Sequence, residues 1–329
     1  MISLQKVLVI QTSFIGDVIL ATAVLEKLHR HHPTARLDFM LRKGNESLLE
    51  HHPFLGKLYV WDKKDKYRTL FKLWREVRRE HYDLVVNLQR FASTGFLTAF
   101  SGAKHTVGFR KNPFSFLFTK AYPHQYRPNF HEIHRNQTLI APYTDAEPSR
   151  PCLYPSENDF QFVREYQRVP YVCIAPGSVW ATKQFPLAKW EKFLSLVSFE
   201  GKIYLLGAKS DEKICHQLAQ YHRHCEVLAG KLTLLQSAAL MEKALMNYVN
   251  DSSPLHLASA RNAPVTAIFC STTPVFGFYP LSDKQYVIQT SRLLPCRPCG
   301  IHGKKVCPEK HFACAETISV EQLLETMPK

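Results

Sequence analysis

The chain has 329 residues, 45% hydrophobic and 21% charged, which excludes a fibre or a mostly disordered chain and suits two domains of roughly 150 residues each. No apolar run reaches the ~18 residues of a membrane-spanning helix. Forty-two Lys and Arg against 28 Asp and Glu give a net charge of +14, with an excess in both halves; this excludes a lone basic tail and favours a polyanionic partner such as nucleic acid, a phosphorylated substrate or an anionic membrane face.

Along the chain, Lys6 to Gln11 has the pattern of a buried strand. A polar loop then leads into a helix over Asp17 to His29, where Ile19, Ala23, Leu25 and Leu28 recur at near-helical spacing. Val7 to Ile10 is too short for the core of a signal peptide, and nine cysteines make a poor disulfide framework, so the expected compartment is the cytoplasm. Arg36 to Met40 and Lys57 to Val60 are expected strands. Tyr67 to Arg79 is an expected basic amphipathic helix with Leu70, Trp74 and Val77 on one face. Asp83 to Leu88 follows as a strand, Ser93 to Ser101 as a helix ending before Gly102, and Val107 to Phe109 as a short strand. Strands and helices alternating at this interval indicate α/β architecture, a parallel sheet with helices on both faces.

From Ala141 to Val169 the rhythm lapses among Pro142, Pro148, Pro151 and Pro155, the best place for a connection between domains at 1–165 and 166–329. It restarts with strands at Tyr171–Ala175, Lys202–Leu206, Tyr248–Val249 and Val265–Phe269. Helices are expected at Leu187–Val197, Glu212–Tyr221, Leu234–Ala244 and Leu255–Ala260. Two successive doubly wound halves result.

In such sheets ligands sit beyond the carboxyl ends of the strands. Four loops there carry chemistry. Gln11 to Asp17 lacks the glycine fingerprint of dinucleotide folds, but Gly16 allows close backbone approach. Asp17 stands at a helix start, either as a cap or as an ionised base for a substrate hydroxyl. Ala175 to Pro186 offers hydroxyls, exposed amides and Lys183, a set that suits phosphate as well as an ordinary turn. Leu206 to Glu212 places Asp211 where a carboxylate caps a helix or holds a ribose diol. Asn250 to His256 starts a helix capped by Asp251 or Ser252, whose amides can receive an anion; His256 has a structural reading.

Taken in order and spacing, several segments resemble one family. They are Ile15-Gly16-Asp17-Val18-Ile19, Asp83 to Leu88 through Gly108-Phe109-Arg110, and Pro176-Gly177-Ser178 with Thr182-Lys183. Leu228-Ala229-Gly230-Lys231, Asn250 to Ala258 and Cys296-Arg297-Pro298-Cys299 continue the series. The chain resembles, nearly end to end, the ADP-heptose:lipopolysaccharide heptosyltransferases of glycosyltransferase family 9. Its cysteine segment is similar to the branch that adds the second heptose, heptosyltransferase II. The resemblance implies the GT-B fold, two doubly wound Rossmann-like domains facing across a cleft. Acceptor would bind over 1–165 and nucleotide-sugar donor over 166–329. It also implies inverting, metal-independent transfer of heptose from ADP-heptose to the lipopolysaccharide inner core, without a cofactor.

On that resemblance Asp17 matches the catalytic base, Lys183 the lysine on the donor phosphates, Ser178 a phosphate contact and Asp211 the ribose carboxylate. Asp251, Ser252 and Ser253 match the donor loop, and Gly16 joins the donor-binding set. The family usually has glycine where this chain has Ser253. An acceptor hydroxyl deprotonated by Asp17 would attack the anomeric carbon opposite the leaving diphosphate. Lys183 and helix amides would stabilise the departing charge, work that Mg²⁺ does elsewhere. An anionic acceptor explains the basic surface, including the run from Lys63 to Arg79, and peripheral contact with the inner face of the inner membrane is consistent with it.

Cys296, Cys299, Cys307 and Cys314 lack the second close pair of a zinc ribbon. His131 and His134 fit a helix better than a metal site. Among rivals, a nucleic-acid-binding protein would need a basic groove with interleaved aromatics, which evenly spread charge does not supply. A nicotinamide oxidoreductase would need the missing glycine fingerprint. A related transferase for another nucleotide sugar is the nearest alternative.

Overall fold

The computed structural model describes residues 3–328, which divide into two compact units between Tyr154 and Pro155. In the first, β1 (Lys6–Ile10), β2 (Arg36–Arg42), β3 (Leu55–Trp61), β4 (Leu84–Asn87), β5 (His105–Phe109) and β6 (Lys120–Tyr122) form one parallel sheet, ordered β3-β2-β1-β4-β5-β6. Val7 pairs with Leu84 and Ile10 with Asn87 at its centre. Helices α1 (Ile15–His31), α2 (Lys66–Arg79), α3 (Ala92–Ala99) and α4 (Glu132–Ile140) complete the unit. Leu8, Ile10, Met40, Leu73, Val77 and Leu97 share one core. Each such side chain contributes roughly 1.5–3 kcal/mol by leaving water.

The second unit repeats the plan. β7 (Tyr171–Ala175), β8 (Lys202–Leu205), β9 (Cys225–Val227), β10 (Asn247–Asn250), β11 (Val265–Phe269) and β12 (Gln285–Gln289) are ordered β12-β11-β10-β7-β8-β9, again all parallel. With them come α5 (Glu157–Val163), α6 (Leu187–Leu196), α7 (Glu212–Ala219), α8 (Leu234–Glu242) and α9 (Ser253–Ala260). Renumbered from its own first strand, this sheet has the order of the first, so both units are doubly wound. The strand order reverses between β1 and β4 in one unit and between β7 and β10 in the other, where such folds hold ligands.

Three details differ from expectation. The division falls after Tyr154 because Ser156 starts α5 with a capping box, its hydroxyl accepting from Asp159 N–H at 3.2 Å, and α5 packs on α8. The edge strands β6 and β9 are three residues long without an apolar run, and β12 has only the short run Tyr286 to Ile288. Helix α1 begins at Ile15, so Asp17 is its third residue and not its cap. Among the described residues no helix is long and apolar enough to cross a membrane.

Candidate functional site

Chemistry gathers in the second unit where β7 and β10 end. The loop after β7 closes in a 3-10 turn at Ala181–Lys183. Asn250, the last residue of β10, brackets that loop: its side-chain carbonyl accepts from Phe185 N–H at 2.9 Å and its amide donates to Pro176 O at 2.7 Å. Buried Thr182 fastens the turn from the other side, donating its N–H to Lys304 O at 3.1 Å and accepting from Lys304 N–H at 2.8 Å and Ser271 Oγ at 3.0 Å. The lysine next to it therefore has a fixed origin.

Lys183 Nζ lies 2.8 Å from Asp251 Oδ2, and both side chains are largely buried. Thr272 Oγ1 donates to the same carboxylate oxygen at 2.5 Å. One residue on, Ser252 is the N-cap of α9 but its side chain makes no capping bond; its hydroxyl instead faces Gly177 O at 3.5 Å and Asn250 O at 3.4 Å. Ser253 and Pro254 occupy the first helical positions. Ser253 is absent from the residues with positive φ, so its backbone does not require glycine.

Asp211 enters from the end of β8. Its carboxylate accepts from Ala208 N–H at 2.9 Å. A Cβ on Gly177 would come within 2.7 Å of Asp211 Oδ1, and one on Gly207 within 2.7 Å of Asp211 Cβ. Glycine at these two positions lets the carboxylate seat against the loop that carries Ser178. The second unit thus brings Ser178, Lys183, Asp211, Asp251, Ser252 and Ser253 to the carboxyl end of its sheet, beyond β7, β8 and β10. Under the helix His256 is buried. Its Nδ1 has no hydrogen-bond partner, and burial pushes its pKa down to about 4, opposed by Asp251 and aided by Lys183.

In the first unit Asp17 and Gly16 lie in the first turn of α1, beyond β1. Phe14, the N-cap, has no side chain able to cap, and Asp17 Oδ2 accepts its N–H at 3.2 Å. Lys63 Nζ donates to Thr12 O at 2.7 Å, and Arg42 stands 5.0 Å over the Phe14 ring. Burial, with Arg42 and Lys66 nearby, pushes the Lys63 ammonium pKa down. Thr12 Oγ1 and Asn87 Nδ2, at the ends of β1 and β4, are buried without hydrogen-bond partners. Gly16 and Asp17 belong to this unit, whereas the other expected site residues belong to the second.

Sequence reasoning passed over Asn250, Thr182 and Arg297 as supports. The Arg297 guanidinium donates to Cys270 O at 2.8 Å, Thr272 O at 2.7 Å and Phe269 O at 3.1 Å, closing the end of β11. A lone arginine between two cysteines was the available signal. Among the described residues no three His, Cys, Asp or Glu side chains gather as a metal site. His131 caps α4, its Nδ1 accepting from Ile133 N–H at 3.2 Å.

The family model of glycosyltransferase family 9 (heptosyltransferase) matches residues 70–312. Lipopolysaccharide heptosyltransferase 1 of Pseudomonas aeruginosa is 26% identical over 326 residues, covering 92% of this chain and 87% of its own length. Lipopolysaccharide heptosyltransferase 3 of Escherichia coli K12 is 26% identical over 288 residues, covering 79% and 81%. The structure of E. coli ADP-heptose lipopolysaccharide heptosyltransferase II is similar with a TM-score of 0.78 at 22% identity, over 98% of this chain and 97% of that one. These relatives are split across types 1, 2 and 3.

Proposed function

We propose a function from one premise: the chain belongs to glycosyltransferase family 9, the heptosyltransferases. It transfers heptose from ADP-heptose to the inner core of lipopolysaccharide, and the second heptose is the favoured addition. The observation that carries this reading is the Lys183–Asp251 pair, held beside Asp211 and the start of α9 where β7 and β10 end.

The donor binds to the second unit. Lys183 and the first amides of α9 take the diphosphate, with Ser178, Ser252 and Ser253 beside it, and Asp211 accepts from the ribose hydroxyls. As the glycosidic bond to the diphosphate breaks, negative charge grows on the leaving oxygen, and a fixed ammonium with aligned amides stabilises it without reorganising. Asp251 holds the ammonium in place until the diphosphate arrives.

The first unit receives the acceptor. Arg42 and Lys63 beside the β1 loop supply cations for an anionic sugar or phosphate, and Asp17 takes the proton of the attacking hydroxyl. Attack opposite the leaving group inverts the anomeric centre. The acceptor is lipid-anchored, so the enzyme works in the cytoplasm, in peripheral contact with the inner face of the inner membrane.

Incubation with ADP-heptose and a core acceptor carrying one heptose tests this, read by product mass, ADP release and the anomeric configuration by NMR. Transfer to a heptose-free acceptor alone would reassign the step to the first heptose. Transfer only from a UDP, GDP or CMP sugar would overturn the donor.

A further inference from the structure

The first unit carries an aromatic ridge, exposed at Tyr67, Phe71, Phe100 and Phe116 and half-buried between them, that the transfer chemistry does not use. Tyr67, Phe71 and Trp74 recur every three to four residues and so form one stripe of α2. Tyr67 is 76% and Phe71 47% exposed. The stripe continues off the helix through ring contacts: Phe71 to Trp74 at 5.0 Å, Trp74 to Phe96 at 5.9 Å, Phe96 to Phe100 at 5.1 Å and Phe100 to Phe114 at 6.3 Å. Trp74 Nε1 donates to Phe100 O at 2.8 Å, fastening α2 to the end of α3. Beyond Phe114 a 3-10 turn, Ser115–Leu117, exposes Phe116 at 79% and Leu117 at 45%.

Single exposed aromatics need no explanation, but a contiguous ridge does. Its flank is cationic. Arg68, Lys72, Arg75 and Arg79 share the same spacing one residue later, and so form the neighbouring stripe of α2. Arg75 stands 4.6 Å over Phe71 and Lys66 lies 5.3 Å over Tyr67. The one carboxylate within α2, Glu76, faces Lys57 at 3.7 Å. Residues 110–120 contain Arg110, Lys111 and Lys120 and no acid. Leu73 and Val77 are buried in the core with Leu70 and Trp74 packed partly buried against it, so the helix is anchored while Tyr67, Phe71 and the cationic stripe face outward.

We infer that this ridge is a membrane-docking surface, with the aromatic rings at the headgroup boundary of an anionic bilayer and the cationic stripe of α2 on its phosphates. Charge complementarity selects the occupant: an apolar face bordered by Lys and Arg, almost free of carboxylates, fits anionic lipid. The inference deepens the proposed function, since it rests on an acceptor embedded in that bilayer and names the surface that reaches it.

Co-sedimentation tests it, using vesicles of phosphatidylcholine alone or with an equal share of phosphatidylglycerol. The full chain should pellet with the anionic vesicles, stay largely in solution with the neutral ones, and be released by salt. The variant Arg68→Gln/Lys72→Gln/Arg75→Gln should bind anionic vesicles on the order of a hundredfold more weakly. Phe71→Ser/Phe116→Ser should also bind more weakly and keep transfer to a detergent-dispersed acceptor. A wild-type protein that ignores anionic vesicles overturns the inference whatever the variants do. So do variants that are folded by circular dichroism and bind like wild type. A wild-type dimer made monomeric by Phe71→Ser/Phe116→Ser, without vesicle binding, would make the ridge a self-association face instead. Transfer in detergent without vesicle binding leaves the enzyme reading intact and removes only the membrane surface; vesicle binding without transfer does the reverse.

Discussion

Lys183 Nζ and Asp251 Oδ2 stand 2.8 Å apart at the end of two neighbouring central strands, with Thr272 also donating to that carboxylate. Each charge is the other's main compensation in a largely buried place. If the donor diphosphate binds at Lys183, as proposed, it meets a positioned cation while Asp251 keeps the Thr272 bond. Lys183→Ala should weaken ADP binding and slow turnover. The loss of a charge-assisted contact is about 1.5–3 kcal/mol, or roughly ten- to a hundredfold in affinity. Asp251→Asn should be milder in binding, because the amide still accepts from Thr272. Calorimetry with ADP and steady-state kinetics measure both, and unchanged values for Lys183→Ala remove it from the donor site.

Gly177 makes a separate prediction. A methyl group there would lie 2.7 Å from Asp211 Oδ1, so Gly177→Ala must push the carboxylate aside. If Asp211 holds the ribose, both Gly177→Ala and Asp211→Ala should reduce ADP affinity, by roughly tenfold for a lost bond to a charged group. Adenine nucleotide binding by titration decides it. Equal affinity in all three proteins would leave Asp211 only its bond to Ala208 N–H.

Acid should unfold the protein through its buried histidines. Burial lowers the pKa of His52 and His256 to about 4 and, with Arg90, Arg135 and Lys111 nearby, that of His124 to about 3. All lie below the ordinary 6.5, so as pH falls the unfolded chain binds protons first. Stability from these groups is therefore complete above about pH 7 and is lost from about 6.5 downward, at roughly 1.4 kcal/mol per pH unit for each histidine. Denaturant midpoints between pH 8 and 4 (about two units either side of the unfolded pKa) measure this. His124→Phe should flatten the slope by one proton, and a slope unaltered by that change would contradict it.

The cysteine segment separates support from chemistry. Arg297→Ala would leave three buried carbonyl groups without their donor, at about 1–3 kcal/mol for each group left unsatisfied. Cys296→Ser removes no such donor, and in Cys299→Ser a hydroxyl can take over the bond from Cys299 Sγ to Cys296 O at 3.4 Å, so each should shift stability by less than about 0.5 kcal/mol. Melting curves of the three variants check this. A large loss in the serine variants alone would mean that the thiols, not the guanidinium, hold the segment.

How much of this was legible in sequence depends on the range of the interaction. Val7 to Ile10 and Val265 to Phe269 sit in parallel strands buried on both faces, so they stand out as apolar runs, unbroken in the first and interrupted only by Thr266 in the second. Strands β6 and β12 are largely exposed edges that borrow their hydrogen bonds from a neighbour; β6 is too short to carry a pattern, and β12 offers only Tyr286 to Ile288. Helix α5 was hidden among prolines although Ser156 and Asp159 form its capping box. The loops at strand ends were readable because hydroxyls, Lys183 and Asp251 cluster there. What holds them was not: Asn250 reaches Pro176 and Arg297 reaches Thr272, contacts that exist only after the sheet has formed.

Asp17 gives the sharpest test, because its position supports two roles. As the third residue of α1 it accepts the Phe14 N–H, a capping-box bond that Asn can also make through its side-chain carbonyl. If that bond is its whole contribution, Asp17→Asn should keep nearly all activity, and Asp17→Ala should lose about 0.5–2 kcal/mol of stability with little else. If Asp17 also takes the proton of the acceptor hydroxyl, the amide preserves shape and the back-bond but cannot accept that proton. General-base contributions are typically about 10²–10⁴-fold, so turnover of Asp17→Asn should fall by at least the lower figure. ADP binding should barely change, since the proposed donor loops lie in the other unit. The experiment measures sugar transfer to a heptosylated core acceptor for both variants, beside their melting temperatures and ADP affinities. A folded Asp17→Asn protein with wild-type turnover leaves Asp17 only its capping-box bond to Phe14 N–H and sends the search for a base elsewhere in the first unit.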